Sequence, residues 1–521
     1  MYHMKQIHPT RFEQIFFCAG CLLAVAGIIV LVLASLNDSI WSDEAFSIRL
    51  TQLPFTQMIS LTARDVHPPL YYLSLRFFSG VLRMLIPSLS VVMAAKLHSV
   101  GYVLLLAILL AVKLRKAQGM LVAGLSLALL FLSSSFLSYG IEIRMYTMAA
   151  FFVTGAAISA CSLLHINAMT MRPYLPLVFW TLAASYTNYY ACIAVFFLWL
   201  YLFGILCIRR IRTSKRDTDC MKPLFAFFYS SGLTVLLYLP WLVIAFRQFR
   251  EISGNESYWI EPLSRYTIVS WLLFVFNNYP LLFLCMTLIL TSVVISFISK
   301  DRSEQEHVRD AFLYGTGIVG TGLFGLTISL LFRPVFFERY LLPAFPAMWI
   351  GIAMIFILMI NRLKTVSVSL SQILCGICLA ACAFICIDNM RSFSASESWL
   401  AQETRKLHAF YETLDERDII VTTNSHLNVN FSFLTDCQCN IFDYTESEIF
   451  IEAFPSIRNM TDTAEADTWF TESRRVFFLE TDTDTLLRAN EVFPRNSYRT
   501  ELRGNYFMEG NLSVYEVFLR R

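Results

Sequence analysis

Long apolar runs separated by short polar loops fill the first three-quarters of the chain. Runs at 15–36, 92–112, 120–137, 145–164, 174–184, 191–208, 224–246, 281–298, 311–332, 341–360 and 368–387 predict helices, the run at 174–184 being the shortest. Most have the length that crosses a hydrocarbon core of about 30 Å, giving about eleven transmembrane helices. From about residue 391 the texture changes and charged residues mix with apolar ones. Residues 396–414 read as an amphipathic helix, and 418–423, 475–479 and 513–519 as strands. The predicted fold is a polytopic α-helical membrane protein over 1–390, followed by a small α/β domain over 391–521.

The segment 70–87 decides the topology. As a span it would carry Arg76 and Arg83 into the bilayer, at about 2.5–3.5 kcal/mol each at the centre. Tyr72, Arg76, Ser79 and Arg83 recur at four, three and four residues, so the expectation is a juxtamembrane helix lying in the interface. The distribution of basic residues agrees. With the N-terminus cytoplasmic, the inside loops hold Lys113, Arg115 and Lys116; Arg209, Arg210, Arg212, Lys215, Arg216 and Lys222; Lys300, Arg302 and Arg309; and Arg362 and Lys364. Making 70–87 a span would place the Lys113–Lys116 cluster outside. The predicted location is therefore the plasma (inner) membrane, with an extracytoplasmic C-terminal domain.

Composition sharpens this picture. With 56% apolar and 15% charged residues the chain is no ordinary soluble protein. The net charge of +2 says nothing about nucleic acid, and no basic stripe suggests it, so no nucleic-acid partner is expected. Most of the 13 cysteines lie within apolar runs, where they serve as small hydrophobes. Cys437 and Cys439 are too close in sequence for an unstrained mutual bridge. The run at 15–36 is too long for a cleavable signal peptide and reads as a span. His98, His165 and His307 fall away from the polar face described next and read as structural or solvated.

On this topology, one external face collects Asp43, Glu44, Asp65, His67, Glu142, Arg144, Asn188, Tyr189, Glu338 and Arg339 from four loops. The first external loop, 37–91, contributes the pair Asp43-Glu44 and the stretch Asp65-Val66-His67-Pro68-Pro69. Consecutive prolines pre-set φ and need no amide donor, so they start a helix and leave Asp65 and His67 at its mouth.

Asp43-Glu44 after the first span, followed by D-x-H-P-P-L, resembles the GT-C glycosyltransferases of the protein O-mannosyltransferase and aminoarabinose-transferase superfamily, especially the bacterial members. Glu142-Ile-Arg144-Met-Tyr146, Tyr186-Thr-Asn188-Tyr189-Tyr190 and Glu338-Arg339-Tyr340-Leu-Leu-Pro343 extend the likeness over roughly residues 10–390. The resemblance implies transfer of a sugar from a polyprenyl-phosphate carrier to an acceptor hydroxyl on a lipid, glycan or protein, at the outer face of the bilayer. Tyr72 stands where the eukaryotic enzymes carry a lysine, and their large luminal β-trefoil domain has no counterpart in the chain.

Such a transfer needs a base for the acceptor proton and cationic help for the leaving phosphate. Asp43 is the candidate base, with helix capping as its structural alternative. Glu44 is a candidate orienter or metal ligand. Asp65 and His67 suit a hydrogen-bonded sugar or, with Glu44, a divalent ion: Zn²⁺ or Mn²⁺ for a set containing His, Mg²⁺ for carboxylates alone. Arg144 and Arg339 are the candidate phosphate holders, with interfacial snorkelling as the alternative. Tyr72, Tyr146, Asn188, Tyr189 and Tyr340 are candidate substrate-lining residues. A transporter or flippase of lipid-linked or small solutes is the alternative function, and it calls for charges at mid-membrane or broken helices.

Overall fold

The structure is a computed structural model that describes residues 9–212, 221–254, 260, 262–442, 449–460, 468–470, 474–481 and 485–520. Lys215 and Arg216 of the basic loop lie outside these residues. The chain forms two compact units: Met1–Leu33, Val66–Tyr71 and Ser99–Phe393 make one, and Ala34–Asp65, Tyr72–His98 and Ser394–Arg521 the other.

Helices dominate the first unit, as the apolar runs predict. Among the described residues nine helices are long and apolar enough to cross a membrane, or ten counting one bent pair. Three differences from the expected eleven have physical causes. The run at 120–137 breaks into Met120–Leu129 and Ser134–Ile141, bent by 74°. The short run becomes Leu175–Thr187, whose 13 residues are too few to cross alone. The last span does not stop at the expected boundary: Val368–Tyr411 is one helix of 44 residues that takes in the amphipathic stretch as well. No proline interrupts it, and its one glycine, Gly376, lies well before the expected boundary, so nothing in the backbone ends it there.

Burial orders these helices from centre to rim. The Glu338–Lys364 segment is 94% buried in its apolar window, whereas Tyr279–Ile298 is 17% buried and turns Phe283, Leu290 and Phe297 outward. An apolar residue facing outward is correctly placed when the solvent is lipid. Small residues let helices approach closely. A Cβ on Gly20 would collide with the carbonyl of Gly124, and one on Gly124 would lie 2.9 Å from Phe17 Cα.

The second unit combines the first loop with the C-terminal domain. Its six-stranded sheet has the order β3-β2-β1-β4-β6-β5. These strands are β1 Ile419–Thr422, β2 Gln438–Phe442, β3 Ile457–Met460, β4 Val476–Glu480, β5 Tyr498–Phe507 and β6 Asn511–Leu519. The first four run parallel, and β6 joins β4 antiparallel and carries β5 at the edge. β1 and β4 are buried along their whole length, as central strands covered on both faces must be. The Asp418 carboxylate accepts a fork from Arg475, 2.9 Å at Nε, where the two strands begin.

The first-loop helices Ser42–Gln52 and Phe55–Arg64 pack against this domain. Phe46 meets Phe450 edge-on at 5.1 Å, Arg49 Nε donates to Ala453 O at 2.7 Å, and Arg64 pairs with Glu452 at 2.5 Å. The segment expected at the interface is the helix Leu70–Leu85, whose 16 residues fall short of a span. Its outward face is apolar (Phe77, Val81, Met84, Leu85). The expected polar stripe divides, Tyr72 and Ser79 facing inward while Arg76 and Arg83 are exposed.

Gly20→Val is expected to destabilise the protein by about 1–3 kcal/mol through overpacking. Gly204→Val, where a Cβ meets nothing within 4 Å, serves as the control. Thermal unfolding in detergent checks this: Tm falls for the first variant and holds for the second.

Candidate active site

Two of the expected residues touch in the helical unit, and a third, Arg339, acts on the pair electrostatically. Residues 142–145 form a tight break before the Tyr146–Leu164 helix, with the Arg144 amide 2.7 Å from Glu142 O. Ser99 Oγ donates to that same carbonyl at 2.6 Å and pins the break. Arg144 is buried there at 5% exposure, and its Nη2 donates to His67 Nε2 at 2.7 Å. A guanidinium has no acceptor, so Nε2 contributes its lone pair, and the imidazole is neutral with its proton on Nδ1. Desolvation, then Arg144, then Arg339 hold His67 well below the usual imidazole range. Pro68 and Pro69, both buried, start the following helix and fix the backbone that presents His67.

Arg339 lies at the start of the 3₁₀ helix Glu338–Ala344. Its guanidinium carbon is 5.5 Å from the ring centre of Phe337 and 5.9 Å from that of Tyr340. Tyr340 stacks on Tyr190, centroids 4.2 Å apart and planes 10° from parallel. Tyr146 is buried within electrostatic reach of both arginines and meets Tyr139 edge-on at 5.2 Å.

Asn188 and Tyr189 have structural partners. Asn188 Oδ1 accepts from the amides of Tyr190 and Ala191, at 2.9 and 3.1 Å, and so caps the Tyr189–Arg212 helix. Tyr189 donates to Gln248 and accepts from Trp241 Nε1 at 3.0 Å, tying that helix to Lys222–Gly254. Between Leu175–Thr187, Tyr189–Arg212 and Lys222–Gly254 lies an apolar cleft of about 350 Å³, lined by Ser185, Cys192, Trp199, Phe203, Phe227 and Tyr238 among others.

The carboxylates belong to the other unit. Asp43 is half-buried in the first turn of Ser42–Gln52, and its carbonyl accepts from Ser47 Oγ at 2.7 Å. Glu44 is buried, and its Oε2 accepts from the Trp41 amide at 3.2 Å, closing the helix start. Tyr72 Oη approaches Asp65 Oδ2 at 3.4 Å.

Among the described residues, three metal-ligand atoms come within 4.8 Å of one another at Cys161, His165 and Asp310. Sequence reasoning passed over this cluster and read His165 as structural or solvated. The four-residue spacing of Cys161 and His165 was the available signal; Asp310 comes from a remote helix. His165 Nε2 lies 2.5 Å from Asp310, whose other oxygen receives Arg309. His67, by contrast, has no lone pair left for a metal in its present tautomer.

A cavity of about 800 Å³ opens beside that cluster, lined by His165, Arg209, Arg210, Arg212, Arg302 and Arg309. It lies at the opposite ends of the helices that carry Tyr146 and Tyr189, and none of the sequence-predicted site residues lines it.

No protein-family model matches the chain, and no curated protein sequence is similar to it. Solved structures share its fold. The crystal structure of ArnT from Cupriavidus metallidurans in the apo state matches with a TM-score of 0.59 and 10% identity, over 95% of this chain and 97% of that one. The structure of the same protein bound to undecaprenyl phosphate matches with a TM-score of 0.57, at the same identity and coverage. ArnT is an aminoarabinose transferase of the GT-C superfamily, and the chain has the GT-C fold.

A neutral folded His67 makes stability depend on pH. Below about 6.5 the unfolded imidazole takes up a proton that the folded one refuses. Stability is therefore fully present above that pH and falls as pH drops towards the depressed folded value. His67→Gln keeps an acceptor for Arg144 and removes the titration. Its Tm, followed from pH 8 to 5, is expected to fall less steeply than that of the parent.

Proposed function

We propose that this protein is a membrane glycosyltransferase. It moves a sugar from a polyprenyl-phosphate carrier to an acceptor hydroxyl on a lipid, glycan or protein, at the extracytoplasmic face of the plasma membrane. The observation that carries this reading is the desolvated Arg144 guanidinium hydrogen-bonded to neutral His67, with Arg339 acting on the same imidazole. Two fixed cations beside one uncharged imidazole suit a phosphate anion: the arginines supply charge-assisted donors, and His67 aims one without adding a competing negative charge. The likeness to a protein solved with undecaprenyl phosphate supports the same carrier class. The apolar cleft lined by Trp199, Phe203 and Phe227 suits a prenyl chain.

In the proposed reaction the acceptor oxygen attacks the anomeric carbon as the bond from that carbon to the phosphate oxygen breaks. Asp43 takes the acceptor proton, and Arg144 and Arg339 hold the departing lipid phosphate. Glu44, committed to the Trp41 amide, orients the turn. Asp65 and Tyr72 line the sugar, Tyr146 and Tyr340 flank the arginines, and Asn188 and Tyr189 hold the start of the Tyr189–Arg212 helix that walls the cleft. The transporter alternative gains the one broken span, Met120–Leu129 with Ser134–Ile141, but not the acidic charge at mid-membrane: Tyr146–Leu164, Tyr189–Arg212, Tyr279–Ile298 and Phe345–Lys364 contain no Asp or Glu.

Asp43→Asn in nanodiscs supplied with a labelled polyprenyl-phosphate sugar is expected to lose transfer by about 10²–10⁴-fold while donor binding persists. Arg144→Ala is expected to weaken donor binding, with Arg144→Lys intermediate. Undiminished turnover of Asp43→Asn would remove that residue from the chemistry.

A further inference from the structure

The turn between β5 and β6 carries a residue that its backbone does not favour. Glu509 has a φ of 56°, in the left-handed region that Gly, Asn and Asp occupy more readily. Gly510 follows it, and the Met508 amide closes the turn on Gly510 O at 2.9 Å. When a local preference is overridden in this way, the return is sought in what the side chain does.

Here the side chain reaches the first-loop helix, within the same unit. Glu509 Oε1 accepts from the Ser42 amide at 2.6 Å and from Asn430 Nδ2 at 2.6 Å. Its Oε2 accepts from Ser42 Oγ at 3.3 Å and stands 3.6 Å from His426 Nδ1. His426 Nδ1 in turn lies 2.7 Å from Ser42 Oγ. Ser42 is the first residue of Ser42–Gln52, and Asp43 and Glu44 follow it directly. A carboxylate on a first-turn amide satisfies a donor that has no partner within the helix, and it complements the positive end of the helix dipole. Arg49 and Phe46 hold the later turns of the same helix, so the hairpin secures its leading end.

We infer that Glu509 is a positioning residue: the hairpin of the C-terminal domain sets the orientation of the helical turn that carries Asp43 and Glu44, and transfer depends on it. This rests on the reading of Asp43 as the base. Asn430 and His426 steady the carboxylate, and the left-handed backbone is the local cost of presenting it inward.

The test uses full-length protein in nanodiscs. Glu509→Gly removes the carboxylate while suiting the left-handed turn, so a fall in transfer cannot be ascribed to a damaged fold when Tm is held or raised. Hydrogen exchange in residues 38–48 is expected to rise at least about tenfold as the turn is released. The transfer kcat is expected to fall about tenfold, with KM for a polyprenyl-phosphate sugar within about twofold, because the loss is one of orientation. Glu509→Gln, which keeps an acceptor oxygen, is expected to fall between the two. Unchanged exchange, or unchanged kcat alongside an inactive Asp43→Asn, overturns the inference. If Asp43→Asn itself retains transfer, the functional reading fails instead. Exchange alone then decides: a rise supports Glu509 as the clamp of this turn, and no rise overturns it.

Discussion

Charge is expensive in a hydrocarbon slab, and that cost arranges the helical unit. Two groups of its ionisable side chains gather where helices begin or end. At one set of ends are His67, Arg144 and Arg339; at the other are His165, Arg209, Arg309 and Asp310. Arg144 could not be buried beside an imidazolium without repulsion. A neutral imidazole offering its lone pair solves this, because the cation gains an acceptor and the ring itself brings no charge. The pinned break at 142–145 and the buried prolines before Leu70–Leu85 keep this contact in place.

The helical architecture was legible because lipid leaves a coarse signature: an uninterrupted apolar run of sufficient length has few alternatives. Where length was marginal, the signature weakened. Nothing in the apolarity of 120–137 announces a 74° bend at its middle. The long final helix was divided at a change of composition, although a shift from apolar to polar residues of good helix propensity does not end a helix. In the C-terminal domain, β1, β4 and β6 stood out through β-branched and aromatic residues. β2 reads Gln-Cys-Asn-Ile-Phe, and β5 is an edge strand with charged, half-exposed positions, so neither carries the usual pattern.

The site was partly legible for the same reason. The arginines and His67 stand out as polar residues in apolar surroundings, and two of them touch. What escaped are relations between remote positions. His165 and Asp310 are 145 residues apart, and Ser42 and Glu509 are 467 apart. No local pattern marks a glutamate in a hairpin turn as the partner of a helix near the start of the chain. Conversely, the Asn188 side-chain oxygen makes capping bonds, which a sequence cannot distinguish from a ligand contact.

One consequence concerns synthesis. Residues 34–65 find their packing partners among 394–521, so the ribosome delivers the two halves of this unit widely separated in time. Contacts of such sequence separation close last. Until the final hairpin emerges, the acidic turn after the first span lacks the glutamate that clamps it. A chain still lacking that hairpin carries the turn of Asp43 and Glu44 without the bonds that Glu509 makes to Ser42.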